Sequence, residues 1–173
     1  MNRWDRYFYD LCIAVASKSP CLSRKIGALL VRDKSVVSTG YNGPPRGVPH
    51  CGRERLSKDM YLAKVIKELG MAGDPRFLNE CPRKVLGFPS GARMDLCPAQ
   101  HAEENAVSNA ARNGVSTIGC TLYMNSVIPC QKCFGTLINA GIVEIVVEDL
   151  TIYHENTEFL INNSSIKIRR FDL

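Results

Sequence analysis

Trp4, Phe8, Leu11, Cys12 and Val15 recur every three to four residues at the start of the chain. That period predicts an amphipathic first helix within residues 1–19. Asp5, Arg6 and Asp10 interrupt the apolar run, which argues against a signal peptide and predicts a cytoplasmic chain. "KIGALLV" (25–31) and "SVVSTGYNG" (35–43) read as two strands joined by a short polar turn. "YNGPPRG" is a turn cluster. "RERLSKDMYLAKVIKELG" is helical in period, whereas "MAGDPRFLNECPRKVLGFPSGARMD" is broken by Gly and Pro. Residues 52–96 are therefore expected to form an insertion packed on a single 1–173 domain. From residue 97 the rhythm is regular: a helix at 102–114, a strand within 117–126, a helix at 130–141, a strand at 142–149, a helix at 154–164 and a last strand at 166–171. Alternating strand and helix predicts an α/β fold, with helices on both faces of a largely parallel sheet.

Composition narrows this picture. The chain has 173 residues, 45% of them apolar and 23% charged, as in an ordinary globular protein able to bury a core without disulfides. No stretch approaches the ~18–20 apolar residues of a membrane span, so no membrane partner is expected. The net charge is +5, from 22 Lys and Arg against 17 Asp and Glu, which suits an anionic ligand of nucleotide size. There is no dense basic run, and aromatic residues make up only 8%, so no nucleic-acid partner is expected. Eight cysteines in a cytoplasmic chain point to metal rather than disulfides.

The chemistry centres on "PAQHAEENA" (98–106) and "PCQKC" (129–133). His101 and Glu103 open one expected helix, and Cys130 and Cys133 open the next. A Cys-x-x-Cys at a helix start turns both sulfurs toward one point, where the exposed N–H groups favour thiolates. With a parallel strand pair between them, both helix starts lie at the same edge of the sheet, where α/β sheets bind ligands. One His and two Cys leave a fourth zinc position for water, as in catalytic sites. Glu103, two residues from His101, is suited to carry protons from that water to a leaving group. A lone Cys-x-x-Cys also fits a redox pair or half of a structural zinc site. The combination H-x-E…P-C-x-x-C is a known signature of zinc deaminases.

"PCLSRKIGA" (20–28), "STGYNGPPRGVPHC" (38–51), "CPRKVLGFPSGARMDLCPAQHAEENA" (81–106) and "PCQKC" together resemble the deoxycytidylate (dCMP) deaminase family. The resemblance covers most of residues 5–153 and is weakest over 52–80. HAE with PCxxC alone is shared with tRNA adenosine, guanine and riboflavin-pathway deaminases. The resemblance implies a three-layer, cytidine-deaminase-like sandwich, with a five-stranded mixed sheet between helices. It implies Zn2+-dependent hydrolysis of dCMP to dUMP and ammonia, feeding thymidylate synthesis. His101, Cys130 and Cys133 would hold the metal. Hydroxide would attack C4 of the cytosine, and Glu103 would protonate N3 and help ammonia leave. By the same resemblance Asn42 reaches the deoxyribose, Arg24 binds the phosphate through its guanidinium fork, and Tyr153 also meets the phosphate. The competing readings are a deaminase editing tRNA adenosine or single-stranded nucleic acid, and a non-catalytic zinc-binding accessory protein on the same fold. The latter is expected to lack the glutamate.

Of the other six cysteines, Cys12 and Cys120 read as small core residues. Cys21, Cys51, Cys81 and Cys97 sit beside Pro and Gly in turns, which is poor core material. Four of them fit a second, structural zinc, with His50 able to replace one ligand. The resemblance further implies activation by dCTP with Mg2+, inhibition by dTTP, and a homo-oligomer, with a hexamer favoured. Gly43 and Arg46 of "GYNGPPRG" are the expected nucleotide contacts, through backbone N–H groups and charge, with Arg53, Arg55, Lys18 and Arg24 near in sequence. Small residues at 106, 110 and 111 fit either a neighbouring chain or the helix's own sheet.

Overall fold

A computed structural model describes residues 2–153 and 155–173. In chain order it contains α1 (Arg3–Ala16), β1 (Gly27–Arg32), β2 (Ser35–Tyr41), α2 (Arg53–Lys58), α3 (Met60–Glu68), α4 (Pro82–Val85), α5 (Ala102–Arg112), β3 (Thr121–Val127), α6 (Gln131–Asn139), β4 (Glu144–Asp149), α7 (Glu155–Asn162) and β5 (Lys167–Arg170). Short 3-10 turns occupy Pro75–Leu78 and Met94–Leu96. The expected helix at 154–164 is thus Glu155–Asn162, and His154 lies outside the described residues. No helix among the described residues is long and apolar enough to cross a membrane.

The chain divides into two compact units. The first comprises the stretch up to Ser19, Ile26–Asn42 and His101–Leu173; the second comprises Pro20–Lys25 and Gly43–Gln100.

The first unit is built on a five-stranded sheet of order β2-β1-β3-β4-β5. β1 pairs antiparallel with both β2 and β3, while β3, β4 and β5 run parallel. The sheet is therefore mixed, as the family resemblance implies, and not largely parallel as the alternation alone suggests. The difference arises at a hairpin. Asp33 and Lys34 both hold positive φ (51° and 61°), the geometry of a two-residue turn whose twist suits antiparallel strands.

Strand residues alternate between two faces. Ala28, Leu30, Leu122, Met124, Ile145 and Val147 pack on one face with Ala106, Ala110, Phe134, Leu137 and the partly buried Leu160 of α5, α6 and α7. Leu29, Val31, Tyr123 and Val146 face the other way, onto Phe8 and Cys12 of α1. Cys12 and Cys120 are core residues, as expected. Ala106 and Ala110 are buried in this unit's own core and Ala111 is exposed, so the first two face their own sheet.

Asp5 departs from the helical pattern, because it is fully buried. Its carboxylate accepts from both terminal nitrogens of Arg169 and from Asp172 N (2.9 Å), and Arg169 Nε also donates to Glu144 (3.0 Å). A buried carboxylate persists only with such partners. These lie 164 and 167 residues away in sequence, beyond any local pattern.

The second unit has its own small core of Leu62, Val65, Ile66, Phe77, Val85 and Leu96. The long helical stretch predicted there is two helices, α2 and α3. Asp59 leaves helical geometry between them (φ −92°, ψ 89°) and caps α3 by accepting from Leu62 N at 2.9 Å.

Candidate metal and catalytic site

His101 and Cys130 occupy equivalent places, each the N-cap of a helix in the first unit. Both have extended backbone (φ −75°, ψ 157° and φ −64°, ψ 163°), which turns the chain from strand or loop into helix. Cys133 is the third residue of α6 and is buried. The local sequences therefore place three donors at two helix starts, where unpaired N–H groups stabilise negative charge.

His101 Nδ1 lies 3.6 Å from Cys130 Sγ and 3.3 Å from Cys133 Sγ, and the two sulfurs are 3.5 Å apart. A tetrahedral zinc with Zn–S ~2.3 Å and Zn–N ~2.0–2.1 Å needs edges of about 3.8 Å between sulfurs and about 3.6 Å between sulfur and nitrogen. The donor set thus fits zinc in kind and in spacing. Among the described residues, this is the one group of three or more metal-binding side chains whose ligand atoms all lie within 4.8 Å of one another.

The electrostatics couple these groups. The Cys133 thiol beside Cys130 brings the Cys130 pKa down to about 3, with His101 helping. Cys133 itself is pushed up, first by Cys130 and then by burial. The Cys130 sulfur raises His101 to about 9. Glu103 is 4% exposed, and its Oε1 stands 3.8 Å from His101 Nδ1. Burial pushes its carboxyl up, against the opposing pull of His101. A carboxyl whose proton affinity is raised by burial is suited to accept a proton and then donate it.

Two neighbours of the site escaped the sequence reading. Glu104 accepts from His101 N at 3.2 Å, fixing the N-cap backbone. Its signal was the spacing of a capping box, with Glu three residues after the N-cap. Asn105 Nδ2 donates to Tyr41 O at 2.8 Å, a contact with no local signal.

Asn42 ends the β2 segment of the same unit and is 8% exposed. Its Oδ1 accepts from Ser19 Oγ and Ile26 N, both at 2.8 Å, so the carbonyl half of its amide has a structural task. Tyr153 is exposed and belongs to this unit.

The remaining expected residues lie in the second unit. Arg24 and Arg46 are exposed there. Gly43 is buried, and its N–H donates to Gln100 O at 3.1 Å. The phosphate contact expected of that amide is therefore pre-empted by a backbone bridge. Arg55, expected among the cations near the turn, is instead 6% exposed. It donates to Asp59 (2.9 Å), Leu96 O (2.8 Å) and Cys51 Sγ (3.4 Å). Cys51 is half-buried. Burial raises its thiol, Arg55 opposes this, and neighbouring Cys81 and Cys97 add to the rise. Cys81 is buried, contrary to its turn context, because it caps α4 just before Pro82. Cys21 and Cys97 are half-buried. His50 Nδ1 lies 2.9 Å from Cys51 O.

Residues 2–149 match the family model described as the cytidine and deoxycytidylate deaminase zinc-binding region. The chain is 31% identical to the deoxycytidylate deaminase of Saccharomyces cerevisiae over 97% of this chain and 45% of that one. It is 32% identical to that of Mycobacterium phage D29 over 83% of this chain and 92% of the phage protein. It spans less than half the length of the yeast relatives it matches. Among solved structures, the dCMP deaminase of cyanophage S-TIM5 in complex with dCMP and dUMP superposes with a TM-score of 0.64. That likeness covers 98% of both chains at 17% identity and bears on the fold.

Proposed function

The chain belongs to the cytidine and deoxycytidylate deaminase zinc-binding family, and we propose that it hydrolyses deoxycytidylate to deoxyuridylate and ammonia in the cytoplasm, supplying thymidylate synthesis. The observation that carries this reading is the buried Glu103 carboxyl, 3.8 Å from the nitrogen of an N/S/S donor set spaced for zinc. The deoxycytidylate deaminase names of relatives from yeast and phage support the substrate.

In this reading His101, Cys130 and Cys133 hold the metal, which when bound makes water acidic enough to supply hydroxide near neutral pH. Glu103 takes the proton from water and delivers it to N3 of the cytosine as C4 gains oxygen. It then helps pass a proton to the 4-amino group, which leaves as ammonia. The balance is one water consumed, one C–N bond broken and one C=O formed. Burial of Glu103 raises its proton affinity, which suits a group that takes up a proton and gives it back. Asn42 contacts the deoxyribose, and Arg24 and Tyr153 the phosphate. A guanidinium–phosphate contact is strong when desolvated, so Arg24→Ala raises KM for deoxycytidylate and hardly changes activity on deoxycytidine.

The wider reading has three further parts. A second, structural zinc is held by Cys21, Cys51, Cys81 and Cys97, supported by the rise that neighbouring Cys81 and Cys97 add to the Cys51 thiol. dCTP with Mg2+ activates and dTTP inhibits, with Arg46 as a phosphate contact and Gly43 shaping the turn. The chain assembles as a homo-oligomer, a hexamer being favoured.

The test is direct. The purified protein is incubated with deoxycytidylate, dCTP, deoxycytidine and a tRNA anticodon stem, while ammonia release and the ultraviolet change from cytosine to uracil are followed. Deoxycytidylate is expected to react fastest. Reaction of the tRNA alone, or of nothing with zinc bound, would replace this reading with an editing enzyme or an accessory protein. Saturation curves with and without each triphosphate test the regulation, and superimposable curves at saturating triphosphate would remove it.

A further inference from the structure

Two hydrogen bonds of the same kind, one helical turn apart, join α5 to β2. Asn105 Nδ2 donates to Tyr41 O and Asn109 Nδ2 donates to Thr39 O, each at 2.8 Å. Carbonyls two residues apart point the same way along a strand, so the pair grips one side of β2, the edge strand of the sheet. Between them the backbones almost touch. A Cβ on Gly40 would lie 2.2 Å from Ala102 O and 2.3 Å from Ala106 N, so only glycine allows the approach. Ser38 Oγ adds a third tie, to Ala106 O at 2.7 Å.

The two asparagines differ in what they reach. Asn105 N–H donates to His101 O at 3.0 Å, the first hydrogen bond of α5. Its side chain holds Tyr41 O, and the next residue is Asn42, whose own N–H is fixed on Ile26 O at 3.1 Å. Asn105 is thus one residue linking the backbone of His101 to the strand end that carries Asn42. Asn109 makes the same bond one turn further from the helix start. Glu104 holds the His101 N–H, so the two sides of the His101 backbone are clamped by consecutive residues.

We propose that Asn105 is a positioning residue, which sets the His101–Glu103 end of α5 against the Asn42 end of β2 and keeps the metal ligand, proton carrier and sugar contact in register. This rests on the deaminase reading for its effect on substrate, but not for its effect on His101.

The test compares Asn105→Ala with Asn109→Ala in the full chain. Both variants lose one amide bond to β2, and both are expected to melt at a lower temperature. Only Asn105→Ala is expected to shift the visible bands of the cobalt(II)-loaded protein, which report the geometry of the metal ligands, and to raise KM for deoxycytidylate about tenfold. Asn109→Ala is expected to keep the wild-type spectrum and a KM within about twofold of wild type. If Asn105→Ala does not fold, the isosteric Asn105→Asp, which cannot donate to a carbonyl, is expected to give the same two shifts. Spectra and KM values that are alike in the two positions, whether shifted or not, would overturn the proposal and make Asn105 a fastener like Asn109. A wild-type chain inactive on every cytosine nucleotide would defeat the deaminase reading, and the cobalt spectra would still judge Asn105.

Discussion

The two units both gather cysteines, in opposite ways. In the first, every donor is held by regular structure. His101 and Cys130 cap helices, Cys133 lies in the first turn of one, and the three ligand atoms stand 3.3–3.6 Å apart. In the second, Cys51 sits in a turn, Cys97 has extended backbone after a 3-10 turn, and Cys81 caps a helix of four residues. Cys51 is near enough to Cys81 and Cys97 to feel their charge, yet these thiols do not form a trio within 4.8 Å. In the second group a buried arginine, Arg55, donates to Cys51 Sγ. A site preformed by helices asks little of the metal beyond binding. Cysteines on irregular backbone ask the metal to complete the fold, so that binding and folding become one equilibrium.

The sharpest break in the comparison comes from Glu103→Gln. It is expected to lower kcat by about 10²–10⁴-fold with zinc retained, because the proton carrier is lost while the donors stay. Metal analysis beside kinetics checks this, and near-normal turnover of the zinc-loaded variant would remove Glu103 from the mechanism.

Next comes pH. Without metal, His101 (about 9) and the raised Cys133 both carry protons at pH 7, while Cys130 (about 3) is already a thiolate. Zinc must displace two protons. Affinity at this site is therefore expected to rise about hundredfold per pH unit between pH 6 and 8, and to fall as pH drops. Competition with a weak chelator measures the slope, and a flat profile would contradict the charge assignment.

Cys81→Ala tests the other group. It is expected to leave one zinc per chain instead of two and to lower the melting temperature, while Cys130→Ser removes the other zinc and the activity. A chain that carries one zinc before any mutation would end the four-cysteine assignment.

The smallest effect concerns Arg55. Arg55→Lys keeps a charge but loses the planar fork that reaches Asp59, Leu96 O and Cys51 together. Leaving a buried acceptor unpaired costs about 1–3 kcal/mol of stability. Denaturant melting reads this, and an unchanged midpoint would show that lysine serves equally well.

What the sequence revealed follows the same division. His-x-Glu and Cys-x-x-Cys are local patterns at helix starts, so the residues of the first site could be found without the fold. The Asp33–Lys34 turn and the two strands it joins were equally legible. The antiparallel pairing of β1 with β3 was not, because no residue between 32 and 121 encodes which edge of a strand its partner will meet. Asp5, Arg55 and Asn105 were misread or missed for one reason. Each is a polar side chain with a partner 41 residues or more away, and only the folded chain brings the two together. Gly43 failed in the opposite sense, because its glycine suggested an open amide that Gln100 in fact occupies.

The buried Asp5 has a topological consequence. Asn2 N donates to Asp172 O, and Asp172 N donates to Asp5, so the two described ends of the chain are stitched together at 2.9 Å. A few flexible residues joining position 173 to position 2 would close this stretch of polypeptide into a ring. The ring could then be reopened at the Asp33–Lys34 turn, where both residues are exposed. The resulting permutant would start on β2 and end on β1, two strands at one side of the sheet, without crossing α5 or α6. The order in which this polypeptide is synthesised is thus separable from the order in which its sheet is assembled.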